Sequence, residues 1–149
     1  MLQKIFNQHD NEKAKEEEAK AAGASAVLLI CALLDEETLT RYHKHCDELG
    51  LSALVEAHDE EEIQMAVRAG ARIIGVNNRN LKDFTVDIHN GIRLREKVPK
   101  EILFVAESGI KTRENIVELE KGCVNAVLIG ETFMRSENKE QMLQQLKGE

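Results

Sequence analysis

From residue 23 onward one pattern recurs along the chain: a short apolar run, a polar exit, an amphipathic stretch at helical spacing, and a glycine before the next apolar run. The runs are AVLLI (26–30), SALVEA (52–57), RIIGVN (72–77), ILFVAES (102–108) and NAVLIGE (125–131). They are mostly continuous rather than alternating, the pattern of strands buried on both faces of a parallel sheet. The stretches between them carry helix punctuation. Asp35 is a good N-cap ahead of Leu39, Tyr42, Cys46 and Leu49, with Gly50 as the stop. Asp59 and Glu62 form a capping-box pattern before Ile63, Ala66 and Val67, and Gly70 ends that helix. Ile88 and Ile92 mark a less regular helix that stops before Pro99. Thr112 opens another, with Ile116 and Leu119 inward and Gly122 closing it, and Met142 and Leu146 mark the last. Strands alternating with helices predict an α/β fold with a parallel sheet and right-handed crossovers.

Such alternation suits either an open doubly wound sheet or part of a (β/α) barrel. No G-x-G-x-x-G follows the first apolar run, so the dinucleotide-binding version loses support. The polar exits favour the barrel. The C-terminal rim of a parallel sheet would gather Glu56, Asn77, Glu107, Ser108 and Glu131, and that rim carries the chemistry of barrels. Residues 1–22 depart from the rhythm and form a separate charged helical segment ahead of a domain at 23–149. Within it Leu2, Ile5 and Phe6 make one apolar patch, whereas NQHDNEKAKEEEAK has almost nothing to bury and reads as a solvated or frayed helix.

Composition narrows the partners. The chain has 149 residues with 20 Lys+Arg against 27 Asp+Glu, one Tyr, four Phe and no Trp. A polyanion needs a basic face and usually stacking aromatics, so nucleic acid is not an expected partner. An anionic small molecule would have to be met locally, by one or two cations and oriented backbone N–H groups. No apolar run approaches the roughly 18 residues that cross a bilayer, and the first residues lack the apolar core of a signal peptide, so a cytoplasmic protein without membrane contact is expected. Cys31, Cys46 and Cys123 are odd in number and widely spaced, which predicts reduced thiols. In the string HKHC, His43 and His45 diverge by about 200° of helical rotation, so no metal site is expected there.

The chemistry-bearing positions each have two readings. Glu56, at the end of an apolar strand, is either a general acid or base with a pKa raised by desolvation or a carboxylate facing solvent. The pairs Ser108-Gly109 and Gly130-Glu131 end the last two strands, where glycine lets backbone N–H groups approach a phosphate, or simply serves a turn. Arg79 is either the bidentate cation of an anion site or a surface partner of Asp83 or Asp87.

Taken together, GASAVLLICALLD, LVEAHDEEE, ARIIGVNNRNLKDFTVD, FVAESGIKT and NAVLIGETFMR resemble the C-terminal portion of the indole-3-glycerol phosphate synthase family, from about Glu18 onward. The resemblance implies part of a (β/α)8 TIM barrel, with the family's fourth to eighth strands present. It implies closure of carboxyphenylamino-deoxyribulose phosphate to indole glycerol phosphate in tryptophan biosynthesis, with loss of carbon dioxide and water and no cofactor. By the same resemblance Glu56 transfers protons, Asn77 contacts the reacting part of the substrate, and Arg79 stands near the phosphate. Glu107 and Ser108 match the seventh-strand pair, Ser108 and Gly109 meet the phosphate, and Gly130 and Glu131 match the eighth-strand phosphate loop. There the main-chain N–H must bind, since the Glu131 side chain carries the wrong charge. Leu28 and Leu54 match apolar positions lining the aromatic pocket.

The family also uses lysines on its first and third strands, which the resembling region does not include. A fragment, or a re-engineered or degraded member, is therefore expected, with weak binding because Glu56, Glu107 and Glu131 would face Arg79 alone. The strands at 26–30 and 125–131 become open edges, which predicts a homo-oligomer joined through them. A non-catalytic, self-associating fragment with a vestigial phosphate site, or a phosphate-binding barrel relative with another reaction, are the competing readings.

Overall fold

The computed structural model describes residues 12–80 and 84–149. The apolar patch expected at Leu2, Ile5 and Phe6 lies outside the described residues, as does Asp83. The strands are β1 (Ala26–Ile30), β2 (Ser52–Ala57), β3 (Ile73–Asn77), β4 (Leu103–Glu107) and β5 (Ala126–Leu128), in the spatial order β1-β2-β3-β4-β5. The helices are α1 (Glu12–Ala21), α2 (Glu36–Glu48), α3 (Glu60–Arg68), α4 (His89–Arg95), α5 (Arg113–Lys121), α6 (Glu131–Arg135) and α7 (Lys139–Lys147), with a 3-10 turn at Cys31–Leu33. Two compact units divide the chain, one ending at Gly75 and the other running from Val76 to Glu149.

In the first unit β1 and β2 pair in parallel, Leu28 opposite Leu54 and Ile30 opposite Glu56. Side chains alternate across a strand, so those four share one face. Val27, Leu29, Ala53, Val55 and Ala57 take the other face and are buried, Val55 and Ala57 completely. Helices α2 and α3 pack on this sheet and contribute Leu39, Cys46, Ile63 and Ala66 to the core. Their starts follow the expected chemistry: Asp35 accepts a hydrogen bond from Thr38 N at 2.7 Å and Asp59 one from Glu62 N at 2.9 Å. The reciprocal half of the capping box differs from expectation, because the Glu62 carboxylate reaches past Asp59 to His58 N at 2.8 Å. The charged run at the start is not wholly solvated either. Glu16 on α1 is 1% exposed and faces His45 Nε2 of α2 at 3.6 Å.

In the second unit β4 and β5 pair in parallel with Glu107 opposite Leu128. Phe104 and Ala106 are fully buried, with Arg95 of α4 over the Phe104 ring at 5.5 Å, while Leu103, adjacent to Phe104 and on the opposite face, is 52% exposed. On β4 and β5 one face is thus partly open, whereas β1 and β3 carry consecutive buried residues, Val27 to Leu29 and Ile74 to Val76, as their continuous apolar runs suggested. The last strand also stops at Leu128, short of the expected 131, because Gly130 N-caps the short α6 and Glu131 begins it. At α5 Thr112 and Asn115 complete a capping box, and Leu119 is buried with Ala106 and Ile110.

The two faces of β4 make a direct test. Phe104→Ala should lower stability by about 3–5 kcal/mol in urea unfolding, whereas Leu103→Ala one residue away should change it by no more than about 0.5 kcal/mol. Equal losses would contradict the division of faces.

Candidate active site

In the first unit Glu56 is the last inward residue of β2, buried on the face it shares with Leu28 and Leu54. Leu28 is buried and Leu54 half-buried, so the carboxylate stands at the end of an apolar strip. A carboxylate there is costly unless a cation meets it. His58, two residues on, supplies one: its Nε2 lies 3.3 Å from Glu56 Oε1, and its Nδ1 lies 3.1 Å from Glu62 Oε2. The contact with Glu56 first, then that with Glu62, raises the imidazole pKa from 6.5 to about 10 against the opposing effect of burial. His58 was not among the residues singled out from sequence, although it stands within LVEAHDEEE.

The second unit holds an anion-sized cleft. Arg79, Val86, Ser108, Gly109, Ile110, Lys111, Leu128, Ile129, Gly130, Glu131 and Thr132 enclose about 270 Å³. This lies just below the size of sites that bury a whole drug-sized ligand, and suits one end of a substrate. The walls come from the loops after β3, β4 and β5. The first is pinned by an isolated antiparallel bridge between Arg79 and Val86. Val86 in turn presses on Gly109, whose φ of +78° and lack of a Cβ are both required, since a Cβ there would collide with Val86 Cγ1. Ser108 is also left-handed, at φ +66°. Thr132 Oγ1 donates to Ile110 O at 2.6 Å and ties the last two loops together.

Among the cleft's charges, Arg79 Nη2 donates to Glu131 Oε2 at 2.6 Å and Arg135 Nε to Glu131 Oε1 at 2.9 Å. Arg135, then Arg79, holds the Glu131 carboxyl below the usual carboxylate range. Asp87 is taken up by Arg93 and His89 instead, so it does not compete for Arg79. Lys111 adds a cation that sequence reading missed, though it sits in the SGIKT loop directly after the cleft's serine and glycine. The cleft lining carries two cations, Arg79 and Lys111, and one carboxylate, Glu131.

The two asparagines divide their work. Asn77 is half-buried at the end of β3, and its Oδ1 accepts from Arg79 N at 3.0 Å, which orients the arginine's backbone. Asn78 is buried and acts as a staple: its N donates to Glu107 O at 2.8 Å, its Nδ2 to Ser108 O at 3.2 Å, and its Oδ1 accepts from Gly91 N at 3.0 Å. Glu107 is buried at the end of β4. The described residues include no cluster of His, Cys, Asp or Glu that could hold a metal. His43 and His45 are both buried, but they face Asp47 and Glu16 respectively. Cys31 and Cys46 are free and buried, and Cys123 is free and exposed.

Known proteins share this pattern of elements. The chain is 59% identical to indole-3-glycerol phosphate synthase of Leuconostoc mesenteroides subsp. mesenteroides over 132 residues, 89% of this chain and 50% of that protein. It is 60% identical to the enzyme of the same name from Ruminiclostridium cellulolyticum over 131 residues, again 50% of that protein. The chain thus spans about half the length of the curated relatives it matches. Among solved structures, 3-hexulose-6-phosphate synthase from Salmonella typhimurium superposes with a TM-score of 0.78 at 16% identity, over 93% of this chain and 67% of that one. A mandelate oxidase does so at 0.74 and 17% identity, over 96% of this chain and 54% of that one. These likenesses show the fold, a partial TIM barrel of parallel strands and flanking helices. The family model for indole-3-glycerol phosphate synthase matches residues 11–146, and the chain belongs to that family.

Proposed function

We propose that this chain supplies the phosphate-binding and proton-transfer half of an indole-3-glycerol phosphate synthase, a carbon-carbon lyase of tryptophan biosynthesis acting without a cofactor on carboxyphenylamino-deoxyribulose phosphate. The observation that carries the reading is the cleft between the loops after β4 and β5, the usual phosphate position of barrel enzymes. Arg79 and Lys111 supply charge, Ser108 and Gly109 a left-handed backbone lining the cleft, and Gly130 and Glu131 the backbone N–H groups of a helix start. A phosphate entering the cleft takes the Arg79 guanidinium from Glu131, which keeps Arg135 as its partner. Asn77 contacts the reacting part of the substrate, Leu28 and Leu54 line its aromatic ring, and Glu107 accepts from its polar groups.

Glu56 transfers protons during closure and dehydration, a role that needs a carboxylate whose charge state is set by its surroundings rather than by water. None of β1 to β5 carries a lysine. By the family resemblance, the lysines that polarise the substrate carbonyl stand on strands that β1 to β5 do not match, so in this reading these residues bind phosphate without turning substrate over by themselves. A cytoplasmic location accords with this family, and among the described residues no helix is long and apolar enough to cross a membrane.

Complementation tests the reading. The chain should form no indole glycerol phosphate alone but should do so when mixed with the separately produced first half of the Ruminiclostridium cellulolyticum enzyme. In that mixture Glu56→Gln should lower kcat by roughly 100-fold or more, and Arg79→Met should raise KM by roughly tenfold through the phosphate. Turnover by the chain alone, or an unaffected Glu56→Gln mixture, would reject it.

A second reading, self-association, rests on the end strand β5. Val127 is 37% exposed, and with Ile129, Phe133, Leu143 and Leu146 it makes the apolar part of a recess of about 550 Å³ that Arg113, Glu120, Lys147 and Glu149 also line. An exposed apolar edge strand invites pairing. Sedimentation should then show concentration-dependent dimers at micromolar chain, reduced to monomer by Val127→Lys, which places a charge in the recess. A native chain that stays monomeric excludes this reading.

A further inference from the structure

We propose that His58 is a positioning residue for Glu56: clamped between Glu56 and Glu62, its imidazolium holds the Glu56 carboxylate ionised and fixed at the end of β2. The inference rests on the proton-transfer role proposed above for Glu56. Three elements build the clamp. Strand β2 brings Glu56, which is 6% exposed. The β2–α3 turn brings His58 and the N-cap Asp59, whose side chain is engaged by Glu62 N. Helix α3 brings Glu62, whose Oε2 accepts from His58 N at 2.8 Å and meets ring Nδ1 at 3.1 Å. With its backbone N–H and one ring nitrogen held by the same oxygen, the imidazole can turn only its Nε2 toward Glu56 Oε1, 3.3 Å away. That second contact is a charge pair rather than an aligned hydrogen bond, since Nε2 makes no hydrogen bond of good geometry.

The remaining groups around the clamp do not replace it. Cys31 of the 3-10 turn packs on α3 and approaches Glu62 O through Sγ at 3.7 Å. Burial first, then Glu62, Glu56 and Asp59, pushes its thiol up to about 12, so it contributes no charge. Glu60 and Glu61 continue the acidic first turn of α3, and Arg68 at the end of α3 is taken up by Glu36 of α2 at 2.8 Å. The imidazolium lies within charge-pair distance of the carboxylates of both Glu56 and Glu62. Burial favours a neutral carboxyl, and a proton acceptor must be ionised before it acts, so a cation held at contact keeps Glu56 in its working form. Glu62 does this at one remove, by keeping His58 protonated and aimed.

The pH dependence has a definite sign. His58 is raised above its ordinary value of 6.5, so the stabilisation it gives is fully present below about 6.5 and is lost as pH rises through about 10.

The experiment has two arms. Imidazole titration of the full chain by NMR should place the His58 midpoint near 10, and Glu56→Gln and Glu62→Gln should each move it down by a pH unit or more. In the complemented assay, His58→Asn should leave KM for substrate within about twofold and move the acid limb of the kcat profile upward by roughly one pH unit. Glu62→Gln, which leaves the His58 ring in place and still protonated at acid pH, should not move it upward, because it removes a like charge from the neighbourhood of Glu56. A native His58 midpoint near 6.5, or one indifferent to Glu56→Gln, overturns the clamp whether or not the mixture is active. An acid limb unmoved by His58→Asn overturns the positioning role. An active mixture unaffected by Glu56→Gln rejects the proton-transfer reading itself, on which the positioning role depends, and leaves the NMR arm to judge the clamp.

Discussion

Every polar feature of this chain depends on how its parallel strands divide their two faces. Helix-facing positions such as Val55, Ala57, Phe104 and Ala106 are fully buried, and their apolar area is the main source of folding free energy. The alternate positions run out to Glu56, Asn77 and Glu107 at the strand ends. Because the side-chain period is two, a slip of one residue would put those polar groups beneath the helices and the valines and phenylalanine outside. The packing that makes the fold stable is therefore the same packing that fixes which side chains stand at the strand ends.

Acids at the strand ends and in the segment beyond β5 create an electrostatic problem that each unit resolves locally. In the first, the buried Glu56 shares His58 with Glu62, and the two carboxylates raise the imidazole pKa. In the second, the exposed Glu131 lies between Arg79 and Arg135. The two solutions differ in strength for a physical reason. Exposed pairs are screened by water and exchange partners at little cost, so Arg79 can leave Glu131 for a phosphate. A half-buried imidazolium held on two sides has nowhere else to place its charge, and it makes a fixed feature of its surroundings.

Much of this was legible in the amino-acid sequence, and the parts that were not share a cause. The apolar runs located β1 and β2 to the residue, and Asp35, Asp59 and Thr112 marked the helix starts, because strand burial and N-capping depend on neighbours along the chain. The family motifs reached Arg79, Ser108, Gly109 and Gly130, which the fold brings to one cleft. What sequence reading misjudged depends on neighbours across space. That Glu62 would reach His58 rather than Asp59 is decided by where the imidazole sits, and that Lys111 joins the cleft by how the loop after β4 curls back. Likewise Asn77 and Asn78 are indistinguishable as letters, yet one orients Arg79 and the other staples β3 to β4 and α4, according to which face of the strand each leaves.

The VNNRNL exit gathers these threads. Asn78 closes backbone groups that would otherwise be buried unpaired where β3 ends. That closure frees the next residues from any structural duty in the sheet, and the Arg79–Val86 bridge then folds the loop back so that Val86 covers Gly109. A larger residue at Gly109 would push Val86 away, loosen the bridge and carry Arg79 off the cleft, although neither Gly109 nor Val86 has any charge to offer an anion. Positioning a single guanidinium thus takes an amide, a valine and a glycine.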